Sequence, residues 1–335
     1  MKEASFYRKD VNGKVQCLLC SHLCILDDKK TGICKVRTNI GGTLIAENYG
    51  LLTSVHLDPI EKKPLYHFHP GEKILSIGSA GCNMHCSFCQ NFEISQTGIK
   101  DLSNLTDINP SQMLGMAKST SKNIGIAYTY NEPAIFYEYM IETAKLIHEE
   151  GLKNVMVTNG FIREKPLLEL IPFIDAFNVD LKAFTNNFYQ KQTHSQLKPV
   201  KEALQLILNH HKHLEITNLV IPQLNDNEKD FTSMVSWIAN ELGKETILHL
   251  SKYFPQYKST QSPTADNTLL ALFNIAKQYL HYVYLGNVAD LQTGTDTFCS
   301  ACGDLVIKRS FYNVTVAGLN SAGSCKNCGN QIITP

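Results

Sequence analysis

Cys82, Cys86 and Cys89 are the residues best placed for chemistry, at the spacing C-x3-C-x2-C. An apolar run at 74–78 precedes them and reads as a buried strand. Gly78 and Gly81 then let the chain leave that strand and turn. Three thiolates on one loop can hold three corners of a [4Fe–4S] cube. No fourth cysteine follows nearby, so one iron is left open to bind and activate a small molecule. The same logic separates open catalytic zinc sites from closed structural ones. A zinc loop, or three unrelated buried thiols, is the competing reading.

Eight further cysteines form two sets, with none between Cys89 and Cys299. Cys17, Cys20, Cys24 and Cys34 open the chain, with His22 among them. Four thiolates within eighteen positions suit a closed structural site, either zinc or an auxiliary iron–sulfur cluster. A metal there would supply folding energy to a segment with little core of its own. At the other end, Cys299-x2-Cys302-Gly303 and Cys325-x2-Cys328-Gly329 have zinc-ribbon spacing. Each glycine allows the tight knuckle that turns a thiolate pair toward one metal, and rubredoxin-like iron competes for the same S4 geometry.

Two polar constellations must be positioned near the trio. Asn178, Asp180 and Lys182 alternate onto one face of a strand that otherwise reads as buried. Burying them without partners is costly. They are therefore an internal ion pair, or a site where Lys182 meets an anionic ligand group and Asp180 orients it. Glu132 ends another strand, in Tyr130-Asn131-Glu132-Pro133, where a carboxylate can accept from a ligand ammonium. Asn159 precedes Gly160, which permits close backbone approach to a ligand. His249 and Ser251 share a strand face and either line the substrate end or, as is usual for a lone histidine there, His249 is a satisfied core residue.

The elements that carry these residues alternate strand and helix, the mark of a parallel α/β architecture. Strands are expected at 74–78, 124–130, 155–160, 176–184, 215–222, 246–251 and 282–288. Helices are expected at 134–150, after Pro166, and at 200–211, 228–242 and 268–280, the first with an apolar stripe of Phe136, Met140, Ala144 and Ile147. In barrels of this kind chemistry sits at the C-terminal strand ends. The stretch 56–71 reads as a linker dense in polar and aromatic residues, a surface loop or a wall of the site. Residues 1–73 are then a cysteine-rich extension, 74–290 the barrel, and 291–335 the ribbon-like tail.

Thirty-one Lys and Arg balance thirty-one Asp and Glu, so no basic excess advertises nucleic acid. No apolar signal region or spanning run is present, and eleven cysteines suit reduced, metal-bearing sites, so a cytoplasmic address and no membrane partner are expected.

The C-x3-C-x2-C loop after the first barrel strand resembles the signature of radical S-adenosylmethionine (radical SAM) enzymes. The resemblance implies a partial (β/α)6 TIM-like barrel. It also implies a [4Fe–4S] cluster on Cys82, Cys86 and Cys89, with S-adenosylmethionine held by Glu132, Asn159, Asp180 and Lys182, Asn159 at its ribose or carboxylate, and Ile221 and Asn287 as adenine neighbours. The position of Glu132 often carries Gly-Gly-Glu in that superfamily; here only the glutamate is shared. Asp180-Leu181-Lys182, Thr158-Asn159-Gly160, the 128–133 strand end and His249-Leu250-Ser251 resemble the pyruvate formate-lyase activase branch. With the opening cysteines, Asp58-Pro59-Ile60-Glu61-Lys62-Lys63-Pro64-Leu65 and the trailing ribbon, nearly the whole chain is similar to the AmmeMemoRadiSam system radical SAM enzymes. That resemblance implies Memo-like and AMMECR-type partner proteins, an electron donor such as flavodoxin or ferredoxin, and hydrogen abstraction from a protein or small molecule. A non-catalytic metal-binding module that binds RNA or protein is the alternative.

Overall fold

The computed structural model describes residues 2–288 and 293–333. Its centre is one eight-stranded sheet: β1 (Ser54–Pro59), β2 (Lys73–Gly78), β3 (Asn123–Tyr128), β4 (Lys153–Thr158), β5 (Ala176–Asp180), β6 (His213–Val220), β7 (Ile247–Lys252) and β8 (Val283–Gly286). Spatial order follows chain order, with β1 and β8 at the two edges. β2 through β8 run parallel, whereas β1 is antiparallel to β2. The chain crosses back over the sheet through α1 (Pro110–Ser119), α2 (Tyr137–Glu149), α3 (Glu164–Leu170), α4 (Leu197–Asn209), α5 (Glu228–Trp237) and α6 (Asp266–Ala276). The result is the curled, unclosed relative of the full eight-unit barrel.

Local sequence explains these elements. In β5, Ala176, Phe177, Asn178 and Val179 are all fully buried, as a parallel strand covered on both faces requires. The α2 stripe of Phe136, Met140, Ala144 and Ile147 is buried as its spacing requires. Asn109 and Gln112 form a reciprocal capping box at the start of α1. Several boundaries differ from expectation; the strand expected over 176–184 ends at Asp180, so Lys182 lies just beyond it. The helix expected over 228–242 is regular only to Trp237 and widens over Ile238–Leu242. The first residues of the stretch read as a linker, His56 through Pro59, pair with β2 as part of β1.

Two small antiparallel sheets precede β1. One joins Lys2–Glu3, Thr43–Ala46 and Arg37–Ile40; the other joins Tyr7–Lys9, Val15–Cys17 and Ile25–Leu26. Their Phe6, Leu19, Val36 and Leu44 share one apolar core with Ile77 and Ile126 of the barrel. A buried ion pair, Arg37 Nη2 to the Glu138 carboxylate at 2.5 Å, ties this segment to α2. After β8, Thr297–Phe298, Leu305–Ser310 and Asn313–Val316 form a third small sheet. It packs through Val306, Ile307 and Ile332 on Ile247, Tyr282 and Tyr284, at the N-terminal ends of β7 and β8. The expected change from barrel to tail at 290–291 falls outside the described residues. Among the described residues, no helix is long and apolar enough to cross a membrane.

Candidate active site

At the opposite, C-terminal ends of the strands lies a cavity of about 430 Å³. Cys82, Cys86 and Cys89 line it, on the loop that leaves β2. That loop is held from three sides. Asn131, just past β3, accepts from the Ser79 N–H at 3.0 Å and donates to the Gly81 carbonyl at 2.9 Å. His85 and Ser87 donate their backbone N–H groups to Thr193 and Gln192. His22 donates from Nε2 to the Asn83 carbonyl at 2.7 Å. Gly81 has φ +85°, and a Cβ there would collide with the Cys34 carbonyl oxygen, so only glycine lets the two cysteine segments touch. Burial pushes the Cys86 thiol up to about 12 and raises Cys82 and Cys89 as well. Soft, buried thiols of this kind become good ligands only when a metal displaces their protons.

Glu132 lies across the cavity and is 3% exposed. Its carboxylate accepts from Thr158 Oγ1 at 2.7 Å, the Asn159 N–H at 2.7 Å and the Ala134 N–H at 3.0 Å. Burial nevertheless pushes its carboxyl up to about 7, because those three donors only partly offset the lost hydration. Asn159 Nδ2 donates to Asn83 Oδ1 at 2.8 Å and approaches Cys82 Sγ at 3.8 Å, linking Glu132 to the thiol loop. Beyond β5, Lys182 Nζ donates to Asp180 Oδ2 at 2.8 Å. Burial works against the Lys182 charge, but Asp180 and the neighbouring Cys86 outweigh it and raise its pKa.

The comparisons with known proteins agree with this geometry. Residues 76–238 match the radical SAM superfamily. An uncharacterized protein of Methanocaldococcus jannaschii, MJ0808, is 39% identical over 99% of both chains. The chain belongs to the radical SAM superfamily. A (2S)-3-sulfopropanediol dehydratase activating enzyme of Klebsiella oxytoca is similar more distantly, 21% identical over 36% of this chain and 38% of its own. The structure of Streptococcus suis SuiB bound to S-adenosylmethionine aligns with a TM-score of 0.51 at 13% identity, over 64% of this chain and 52% of that one. That likeness shows the shared fold.

Membership in the radical SAM superfamily makes the chain an enzyme and implies a [4Fe–4S] cluster and S-adenosylmethionine. The residues fit both groups: three soft donors come from one loop, and the cavity they face also carries a carboxylate, an amide and a cation. Of the other positions expected near S-adenosylmethionine, Asn287 lines the cavity and donates from Nδ2 to the Lys252 carbonyl. Ile221 is fully buried in the core and is not part of the lining. Ser251 lines the cavity, whereas His249 follows the core alternative. It sits one turn of the pleat deeper, 2% exposed, with Nε2 on Glu215 Oε2 at 2.6 Å.

The sequence reading missed one feature of this radical SAM cavity. Asp58, at the end of β1, accepts from Lys62 at 3.1 Å, Lys63 at 2.8 Å and the Tyr130 hydroxyl at 2.6 Å. Burial opposes the Asp58 charge, yet Lys63 and Tyr130 hold its carboxyl well below the usual range. All four residues line the cavity, so the stretch with the dense polar residues is a wall of the site. Tyr130 adopts φ +68°, which turns its ring toward β1.

The tail carries a distinct centre. The ligand atoms of Cys299, Cys302, Cys325 and Cys328 all lie within 4.8 Å of one another, a set that could bind a metal. Gly303 and Gly329 have φ +80° and +77°, and each donates its N–H back to the first cysteine of its pair, so both expected knuckles are present.

Proposed function

We propose that this radical SAM enzyme holds its cluster on Cys82, Cys86 and Cys89 and abstracts a hydrogen atom from a protein or small-molecule substrate. The observation that carries the reading is the meeting of these three thiols with Glu132, Asn159, Asp180 and Lys182 around one cavity. Bound there, the reduced cluster and S-adenosylmethionine supply a 5′-deoxyadenosyl radical by one-electron cleavage of the sulfonium bond. Glu132 accepts from the ligand's ammonium, Lys182 faces its carboxylate, and Asn159 and Asn287 orient the nucleoside. The walls exclude water from the radical's path.

The reaction is of the activating-enzyme type, in keeping with the Klebsiella relative's name. The chain acts in an AmmeMemoRadiSam system with Memo-like and AMMECR-type proteins, takes its electrons from a flavodoxin or ferredoxin in the cytoplasm, and carries zinc on the C-terminal ribbon. The ribbon reading is supported by Sγ–Sγ separations of 3.5 and 3.7 Å, close to the edge of about 3.8 Å that zinc–sulfur bonds of 2.3 Å impose on a tetrahedron.

The test is anaerobic reconstitution with assay of 5′-deoxyadenosine. Wild type releases it from S-adenosylmethionine under reduction, and Cys86→Ala does not. Incubation with each partner protein, read by EPR for a stable organic radical, separates a protein substrate from a small molecule. No 5′-deoxyadenosine from iron-loaded wild type would overturn the reading.

A further inference from the structure

The opening cysteine set does not resemble the ribbon in its geometry. Cys17, Cys20, Cys24 and Cys34 surround a hollow of about 20 Å³ walled by Leu19 and Ile135. By that measure about one water-sized sphere fits between the thiols. The centre of a closed zinc tetrahedron is only about 2.3 Å from every sulfur, too near for such a sphere. Among the described residues, only the ribbon set brings its ligand atoms all within 4.8 Å. The opening four stand wider, and so does the central trio. A four-iron cube requires that wider stance, because its thiolates attach to separate corners rather than to one ion.

Arg37 supplies an independent observation. It lines the same hollow and is 1% exposed. Its Nη2 is engaged by Glu138, but Nε and Nη1 have no hydrogen-bond partner. Two orphaned donors on a buried guanidinium are expensive. Because Arg37 lines the hollow, an anionic thiolate cluster there would offer those donors sulfur acceptors. The hollow also abuts the central loop through His22–Asn83, through His85 Nε2 to the Ile33 carbonyl at 3.1 Å, and through the Gly81 contact with Cys34.

We infer that Cys17, Cys20, Cys24 and Cys34 hold a second, fully ligated [4Fe–4S] cluster, rather than zinc, with Arg37 donating to its sulfurs. The inference borrows from the proposed function only in comparing its spacing with that of the central trio.

The test is metal counting on the full chain, reconstituted without oxygen. Wild type should carry about eight irons, and the Cys82→Ala/Cys86→Ala/Cys89→Ala variant about four, with the brown chromophore retained. Cys20→Ser/Cys24→Ser in the wild-type background should also fall to about four, which keeps the test alive if the triple variant does not fold. Zinc counts should stay at the ribbon's complement throughout. Zinc in place of iron at the opening set, or a triple variant free of iron, would overturn the inference. Replacing Arg37 and Glu138 together by Met and Leu avoids leaving one charge unpaired. It should move the retained cluster's reduction midpoint to more negative potential, because net charge is unchanged while the N–H···S bonds that favour the reduced state are gone. An unmoved midpoint would remove Arg37 from the assignment. If iron persists in the triple variant but wild type releases no 5′-deoxyadenosine, the proposed reaction fails while this inference holds.

Discussion

Glu132→Gln is the substitution that separates a binding role from a structural one. The isosteric amide keeps one acceptor oxygen where the carboxylate has two. If that oxygen stays against Thr158 and Ala134, the new amide faces the Asn159 N–H, now 2.7 Å from Oε2, and two donors meet head to head. A hydrogen bond to a charged group contributes about 1.5–3 kcal/mol, so the fold should lose roughly that amount. If Glu132 also receives the ammonium of S-adenosylmethionine, a second loss of about 1.5–3 kcal/mol appears in binding, raising Kd roughly 10- to 150-fold. The assay is anaerobic titration calorimetry on cluster-loaded protein, beside a thermal melt of the same sample. The pH profile gives a further check. Burial pushes the Glu132 carboxyl up to about 7, and only the charged form pairs with an ammonium. Wild-type affinity should therefore fall as pH drops through 7, and the variant should lack that dependence. A variant that melts lower but binds S-adenosylmethionine with unchanged affinity and pH profile would refute the reasoning and reduce Glu132 to a cap for the turn after β3.

Other outcomes can be checked alongside. Lys182→Met should weaken S-adenosylmethionine binding by about tenfold, or 1.4 kcal/mol. A double variant with Asp180→Asn that binds normally would show the pair to be mere packing. Gly81→Ala forces a Cβ into the Cys34 carbonyl at φ +85° and should lower both the melting temperature and the iron content. Burial alone would raise the Glu215 carboxyl, but hydrogen bonds from His213 and His249 outweigh it and hold it well below its ordinary value. A depressed carboxylate contributes stability above its unfolded pKa of about 4.3 and loses it as pH falls through the folded value. Acid melts of wild type should therefore steepen below about pH 4, whereas Glu215→Gln, already weaker by about 3 kcal/mol at neutral pH, should not show that step.

The thiol sets and the strand–helix alternation were legible because each has a local signature. Cysteine spacing encodes a shared metal, and a parallel strand shows its double burial as a continuous apolar run. The first sheet strand was legible only at its start, where the run 51–55 reads as a short strand. Ser54–Pro59 is half polar, and near its end Asp58 lines the cavity and pairs with residues four, five and seventy-two positions away. Which of its two readings His249 follows was not legible for a related reason. Strand alternation put it on the correct interior face, but its depth depends on Glu215, one strand over, which also takes N–H groups from Tyr66 and His67. Such long-range pairing leaves no periodic trace. The orphaned donors of Arg37 were equally invisible, since a lone arginine in a short strand reads as solvent-exposed.

The unpaired edges of the sheet bear on how the cavity is walled. β1 and β8 lie at opposite ends of the strand order, and no bridge joins them among the described residues. Yet the chain just past each edge, at Lys62 and Lys63 on one side and Asn287 on the other, contributes to the same cavity. The wall between them is therefore made by side chains and loops, not by strand pairing, and at the rim the loop after β7 reaches the thiol loop through the Lys258 N–H on the Ser87 carbonyl and Tyr257 stacked on Phe92. That flank can be reshaped by exchanging side chains without breaking a strand ladder.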